Sequence, residues 1–286
     1  MWGSDPTETE GEHMTERDTM TEQPHYVVSF SGGAGSWASA KRIWGKAPER
    51  LTLLVADTNT EAPDWHPFLE AAHRSLPGAD LVILNNDGRD IWDVFRDARF
   101  IGNSRIDPCS RVLKREPLRQ WLETNCDPAD TVVVLGFDWT EQHRLDRARP
   151  HWVPWTIEAP LCEPPYLSKP EVLDWLRDCD IPIPELYTKG FSHNNCGGGC
   201  VKAGQTEWRR LLFAYPDRYA YHERREGELR EMLGKDVSVL RDRSGGNTRP
   251  VSLREFRENL ERDASLFDAE DWGACSCMDT LGEVSP

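Results

Sequence analysis

Short apolar runs alternate with longer amphipathic stretches over the first half of the chain. Each apolar run is five or six residues long and rich in Val, Leu and Ile, which is the pattern of a strand buried on both faces. The stretches between the runs carry apolar residues at helical spacing. Strands that alternate with helices predict an α/β fold with a doubly wound, mostly parallel sheet. The predicted strands cover 26–30, 51–56, 80–84 and 131–136, and the predicted helices cover 36–45, 64–75, 89–98 and 110–123.

The pattern changes after about residue 150. Five prolines from Pro150 to Pro165 interrupt regular structure. Helical spacing then returns at 169–178, 205–214, 216–233 and 252–263. We therefore expect three parts: a disordered acidic tail at 1–24, a nucleotide-binding α/β domain at 25–150, and a mostly helical region with Cys motifs at 151–286.

Charge and composition narrow the function classes. The formal net charge of −15 argues against a broad electrostatic surface for nucleic acid, so a nucleic-acid substrate would have to be held through partner subunits. No apolar run has the length of a membrane span, and no signal peptide is visible, so we expect a cytoplasmic protein without membrane contact. The eight cysteines are then expected to be thiols or metal ligands rather than disulfides.

The first predicted strand runs directly into the segment 31–36, Ser-Gly-Gly-Ala-Gly-Ser, and a predicted helix follows at once. Glycine lets the backbone turn and lets a ligand approach the N–H groups, while the N-terminus of a helix attracts an anion. Ser31 and Ser36 add hydroxyl groups at the two ends of the turn. The segment predicts a phosphate-binding loop, although it matches neither the Walker loop nor the dinucleotide fingerprint.

The spacing Ser-Gly-Gly-x-x-Ser after a strand resembles the pyrophosphate loop of the PP-loop superfamily, the adenine-nucleotide α-hydrolase-like enzymes. This resemblance implies that Ser31, Gly32, Gly33, Gly35 and Ser36 bind the phosphates of an adenine nucleotide. Many members carry Asp where this chain has Gly35, and that departure weighs against metal-assisted cleavage of ATP.

Three further residues are candidates for nucleotide contact. Asp57 follows the second predicted strand, where an acidic residue accepts hydrogen bonds from ribose or adenine, or else caps a turn. Lys114 belongs to a Cys-x-x-x-x-Lys-x-x-Pro-Leu segment similar to one of APS reductases, and the resemblance implies that this lysine contacts the nucleotide. The segment 136–144 resembles a motif of PAPS-reductase-like proteins, which directs Arg144 at phosphate; the alternative is a plain ion pair with Glu141.

The strongest metal signal is Cys196-Gly-Gly-Gly-Cys200, because glycine between two cysteines lets the backbone fold around a metal. Its continuation, Val-Lys-Ala-Gly, looks like that of phage and bacterial PAPS-reductase-like proteins and of their DNA-phosphorothioation relatives. Cys109 and one of Cys275 and Cys277 are expected to complete four thiolate ligands. The resemblance favours a [4Fe–4S] cluster, with zinc as the alternative.

The remaining cysteines receive other roles. If one of Cys275 and Cys277 is a ligand, the other is spare; the alternative is that both are catalytic, redox-active or sulfur-carrying thiols. Cys126, Cys162 and Cys179 are expected to be structural.

The resemblance spans roughly residues 26–215 and the Cys275-Ser-Cys277 tail, and it implies two reactions, of which the first is favoured; Gly35, as the mark of a lost catalytic centre, leaves a third function open. The first is an ATP pyrophosphatase-type sulfurtransferase, which would use ATP, Mg²⁺ and a sulfur donor. The second is an APS or PAPS reductase-type oxidoreductase, which would use a thiol reductant. The third is a nucleotide- and metal-binding module without turnover. A homodimer is the expected assembly for any of the three.

Overall fold

The computed structural model describes residues 23–103, 105–244 and 248–262. Most of the predicted tail at 1–24 lies outside these residues, and so do Cys275 and Cys277. No helix of the described part is long and apolar enough to cross a membrane.

A five-stranded parallel sheet forms the centre of the first half of the chain, in the order β3-β2-β1-β4-β5. Val28 of the central strand lies opposite Leu53 on one side and Val134 on the other. The α/β fold with a parallel sheet is therefore confirmed. The strands are β1 (His25–Ser29), β2 (Leu51–Asp57), β3 (Asp80–Asn85), β4 (Thr131–Val134) and β5 (Thr156–Glu158).

Strand β5 was not predicted, and it lies beyond the predicted domain boundary at residue 150. It has only three residues, of which Ile157 alone is buried, so its sequence contains no apolar run that would predict a strand. It nevertheless pairs with β4, and the sheet therefore continues past that boundary.

Helices cover both faces of the sheet, because alternate strand residues point to opposite sides. Val28 packs with the core of one face and its neighbour Val27 with the core of the other. The first face carries α1 (Ala34–Trp44), α2 (Trp65–Arg74) and α7 (Lys169–Asp178). The second carries α5 (Glu116–Asn125) and α6 (Gln142–Trp152).

A third core joins α3 (Ile91–Ala98) to the C-terminal helices α9 (Gln205–Ala214), α10 (Pro216–Leu233) and α11 (Leu253–Arg262). A short antiparallel pair, β6 (Leu240–Asp242) and β7 (Arg249–Val251), was missed for the same reason as β5. The buried carboxylate of Glu226 accepts hydrogen bonds from the N–H groups of Val239 and Leu253, at 2.9 and 2.6 Å. It thereby fixes this hairpin to α10.

The segment around Cys109 departs from a regular helix. Its first part is α4 (Pro108–Ser110), and a π-helical turn (Arg111–Arg115) then leads into α5. Such turns are rare and are frequent at functional sites. The remaining short elements are α8 (Glu185–Thr188) and the 3₁₀ turns Pro48–Arg50, Trp139–Glu141, Pro160–Cys162 and Cys196–Gly198.

Candidate functional site

A cavity of about 350 Å³ lies at the carboxyl end of the central strands, where ligands of parallel sheets bind. The loop after β1, the segment after β4, the π-helical turn and the segment before Cys196 all contribute to its wall. Of the predicted nucleotide contacts it brings together Ser31, Gly33, Gly35, Ser36, Lys114 and Arg144.

The predicted phosphate loop is a tight turn that is held by its own side chains. The Ser36 hydroxyl donates to the Gly33 carbonyl at 2.9 Å and lies 3.3 Å from the Gly33 N–H. The Ser31 hydroxyl donates to that of Ser36 at 3.4 Å. Helix α1 begins at Ala34, and Gly35 and Ser36 of its first turn line the cavity. This arrangement suits an anion.

Gly35 has a physical reason to be glycine. A Cβ at this position would lie 3.1 Å from the carbonyl oxygen of Gly136, and a Cβ at Gly136 would lie 3.0 Å from the Ser36 backbone. The start of α1 and the end of β4 therefore approach each other too closely for an aspartate at position 35 without a shift.

Two predicted nucleotide contacts are not in the cavity wall. Asp57 is buried, and its Oδ1 accepts a hydrogen bond from the Asn59 N–H at 2.8 Å, so it acts as a turn cap. Gly32 turns away from the cavity with a φ of 73°, and its carbonyl accepts from Asn194 Nδ2 at 2.8 Å. Gly32 therefore shapes the loop, and the ribose or adenine role predicted for Asp57 has no support in this geometry.

Three cations line the cavity, Lys114, Arg144 and Lys169. Arg144 forms the ion pair with Glu141 and lies 4.4 Å above the ring centre of Phe137. The ion pair of the 136–144 motif is thus present and Arg144 also lines the cavity, while its contact with phosphate stays a prediction. Lys169 was not predicted, because a single lysine at the start of a helix carries no signal of its own.

Apolar side chains also line the cavity, among them Leu54, Ala56, Leu118, Leu135 and Phe137. Phe137 lies beneath the Arg144 guanidinium, so apolar and cationic groups meet in this cavity. The cavity thus offers both kinds of group to one ligand.

The segment before Cys196 reaches the part of the cavity that is lined by the loop at 31–36. His193, Asn194 and Asn195 line it, and the Tyr187 hydroxyl accepts from the Ala34 N–H at 3.2 Å. Burial lowers the pKa of the His193 imidazole, and the nearby Lys169 acts in the same direction. Sequence reasoning missed Tyr187 and both asparagines, although the asparagines directly precede the predicted metal motif.

A second, smaller cavity is lined by three thiols, Cys109, Cys196 and Cys200. Lys114 and Lys202 lie in the same wall. The structure thus brings together every predicted cysteine ligand that falls within its described part. Within that part, no three Cys, His, Asp or Glu side chains are arranged to hold one metal ion.

The loop between Cys196 and Cys200 is fixed by contacts that only glycine permits. A Cβ at Gly197 would lie 1.6 Å from Arg218 Nη1, and one at Gly199 would lie 2.3 Å from His222 Nε2. Cys196 itself has a φ of 49°, a conformation that costs a non-glycine residue about 1 kcal/mol. A thiol therefore stands at a position where the backbone favours glycine.

The two cavities are joined by Lys114, which lines both. The loop after β2 also connects them: the Glu61 carboxylate accepts from the Cys196 N–H at 2.7 Å, and Arg218 donates to the Thr60 and Glu61 carbonyls at 2.8 and 2.9 Å. The phosphate loop and the cysteine loop thus belong to one hydrogen-bonded assembly.

The other described cysteines line neither cavity, as predicted. The Cys162 thiol donates to the Asp138 carbonyl at 3.2 Å, and burial raises its pKa to about 11. Burial also raises the pKa of Cys126. Both thiols are poor nucleophiles in this state.

Comparison with known proteins identifies a solved structure with a similar fold. No family model and no curated protein sequence matches the chain. Among solved structures, the chain is similar to a phosphoadenylyl-sulfate (PAPS) reductase from Candida auris in complex with phosphate. The two share 14% identity with a TM-score of 0.41, over 61% of this chain and 82% of that chain. At this identity and TM-score, the likeness carries no functional argument.

Proposed function

We propose that the protein is an adenine-nucleotide-binding enzyme of the ATP pyrophosphatase type, which activates an acceptor for sulfur transfer. One observation carries the proposal: an anion-binding cavity and a three-thiol cavity adjoin each other and share Lys114. A nucleotide site alone needs no thiols, and a structural metal site needs no phosphate loop.

The chain's own residues account for nucleotide binding. The base is proposed to lie against Leu54, Leu118 and Phe137, while the N–H groups of the loop and the hydroxyls of Ser31 and Ser36 hold the phosphates. Lys114, Arg144 and Lys169 would offset the negative charge. Mg²⁺ would assist through the phosphates, since Gly35 supplies no carboxylate.

We favour an iron–sulfur cluster over zinc on the resemblance of the Cys196 segment, and three thiols are compatible with either group. Zinc needs four ligands that converge on one ion, whereas a [4Fe–4S] cluster takes one thiolate at each of four corners. Cys109, Cys196 and Cys200 line one small cavity, as thiolate ligands of a common metal group would. We propose that these three thiolates hold the cluster, which would supply a site for sulfur binding. The fourth ligand, Cys275 or Cys277, stays a prediction.

The proposed reaction has two steps. An acceptor oxygen attacks the α-phosphorus of ATP, the bond to the bridging oxygen breaks, and pyrophosphate leaves with that oxygen. A hydrosulfide-level sulfur donor then attacks the adenylated carbon, so that a carbon–sulfur bond forms and AMP leaves with the original oxygen. Lys114 lies between the two cavities and would stabilise negative charge in both steps.

A second candidate is supported by the packing of Gly35 against Gly136. No carboxylate for a metal ion fits there without a shift, which favours a ligand cleaved without metal. APS or PAPS is such a ligand. A thiolate would attack its sulfur, a sulfur–sulfur bond would form, and the sulfur–oxygen bond to the nucleotide would break. A second thiol would then release sulfite and leave a disulfide.

The purified full chain distinguishes these candidates by its products. Incubation with ATP, Mg²⁺, sulfide and a pool of acceptors should yield AMP and pyrophosphate, whereas incubation with APS or PAPS and dithiothreitol should yield sulfite if the second candidate is right. ATP binding without either product would contradict both reactions and favour a binding module. Iron analysis and the visible absorption of an anaerobic preparation test the cluster, and a colourless protein that contains zinc would contradict it.

A further inference from the structure

Glu61 is a buried carboxylate that was not among the predicted site residues. Its Oε1 accepts from the Thr58 hydroxyl at 2.8 Å, and its Oε2 accepts from the Cys196 N–H at 2.7 Å. The same Oε1 lies 3.5 Å from Lys114 Nζ. The side chain is only 5% exposed, so these contacts are shielded from solvent.

Lys114 is also largely buried, at 12% exposure, and lines both cavities. In this structure its ammonium lies beside a carboxylate. An anion in the first cavity would attract that ammonium, and the Glu61 charge would oppose the attraction. The energy of the Lys114–Glu61 contact is therefore lost, at least in part, when an anion engages the lysine.

We propose that Glu61 is a positioning residue, whose carboxylate competes with an anion bound in the first cavity for the Lys114 ammonium. Anion binding draws the ammonium from the carboxylate, and the carboxylate recovers it when the anion leaves. Glu61 thereby lowers the affinity for phosphate-bearing products and favours their release. The inference rests on the proposed phosphate site.

The test is the affinity for inorganic pyrophosphate, measured by titration calorimetry at fixed ionic strength on the full chain. Glu61→Gln removes the charge and keeps the size of the side chain, so pyrophosphate should bind about tenfold more tightly. Mere damage to the loop would weaken binding, so the direction of the change separates the two explanations. Weaker or unchanged binding contradicts the proposal.

A double-mutant cycle shows whether Glu61 acts through Lys114. In a Lys114→Met background, Glu61→Gln should change pyrophosphate affinity by less than about twofold. Full tightening in that background would mean direct repulsion of the ligand, and it would overturn the assignment. Glu61→Asp should tighten binding in the same direction but less, and it serves if Glu61→Gln does not fold.

Glu123→Gln is the matched control, because it removes the same charge at a distant position. Glu123 lies exposed on α5, where it pairs with Arg119. The affinity of this variant for pyrophosphate should equal that of the wild type. A tightening equal to that of Glu61→Gln would assign the effect to net charge and overturn the proposal.

ATP is titrated in parallel with pyrophosphate. If pyrophosphate behaves as expected and ATP does not bind, the proposed function is wrong and the role of Glu61 stands. If ATP binds and Glu61→Gln tightens neither ligand, the role of Glu61 is wrong. Failure of the wild type to bind either ligand contradicts both.

Discussion

The phosphate loop and the cysteine loop obtain their shapes in different ways. The phosphate loop is closed by Ser31 and Ser36, which belong to the loop itself. The loop between Cys196 and Cys200 is pressed against Arg218 and His222, which belong to the distant helix α10. The first shape thus rests on bonds within the loop together with hydrogen bonds to Asn194 and Tyr187, and the second depends on the packing of the C-terminal helices. Changes in α10 should therefore affect the thiols more than the nucleotide.

The largest expected effect concerns charge in the phosphate loop. Gly33→Asp places a carboxylate where a phosphate would lie, and it should weaken ATP binding by about 100-fold or more. Gly33→Asn has nearly the same size without the charge and serves as the control. Calorimetry checks both variants; equal losses would show that size, rather than charge, is decisive.

The next prediction separates the two loops. Cys196→Ser should remove most of the bound iron, because a hydroxyl is a poor substitute for a thiolate. ATP affinity should stay within about twofold of the wild type, since serine is close to cysteine in size and the hydrogen bonds that Ser36 and Asn194 make to the phosphate loop are kept. Iron analysis and calorimetry on the same preparation provide the measurement. Cys162→Ser should leave the iron content unchanged, and an equal loss in that control would refute the ligand assignment.

Packing of the cysteine loop against α10 gives a smaller effect, on stability. Gly199→Ala forces a methyl group against His222, which is held by a 2.9 Å hydrogen bond from Trp92 Nε1 to its Nδ1. We expect a loss of about 2 kcal/mol in the free energy of unfolding.

Gly227→Ala is the control, because Gly227 lies within α10 with no atom within 4 Å of an added Cβ. It should stabilise the protein by about 0.5–1 kcal/mol. Denaturant titration measures both variants. If Gly199→Ala also stabilises the protein, the cysteine loop is not fixed by α10.

The last prediction is a pH dependence of stability that comes from α10 and has the smallest effect within a single pH unit. Burial raises the pKa of Glu226 to about 7, well above its ordinary value. The folded state therefore binds a proton that the unfolded state has released, and the free energy of unfolding should fall as the pH rises from about 4.5 to 7. A single group contributes at most about 1.4 kcal/mol per pH unit. Glu226→Gln should remove this slope from denaturant titrations across the range, and an unchanged slope would assign it to other groups.

The sequence predicted most of the sheet, because β1 to β4 are apolar runs with helices between them. It also predicted the loop at 31–36 and the meeting of Cys109 with the Cys196 motif, the latter through resemblance alone. It did not predict β5 or the hairpin, whose strands have three residues each. Lys169, Tyr187 and Glu61 were missed because their roles depend on contacts between segments far apart in the chain. Asp57 fits the nucleotide pattern in sequence, yet its Oδ1 caps the turn at Asn59 and the residue does not line the cavity.

The π-helical turn at Arg111–Arg115 determines whether Cys109 and Lys114 face the same cavity. In an α-helix, side chains five positions apart point about 140° away from each other, so Cys109 and Lys114 would face different surroundings. The π-helical turn closes from the Glu116 N–H to the Arg111 carbonyl, five residues back, and both side chains reach one cavity. Deleting one residue from this turn would leave both amino acids in the sequence and separate them in space. The site is therefore more vulnerable to a change in chain length here than to many substitutions.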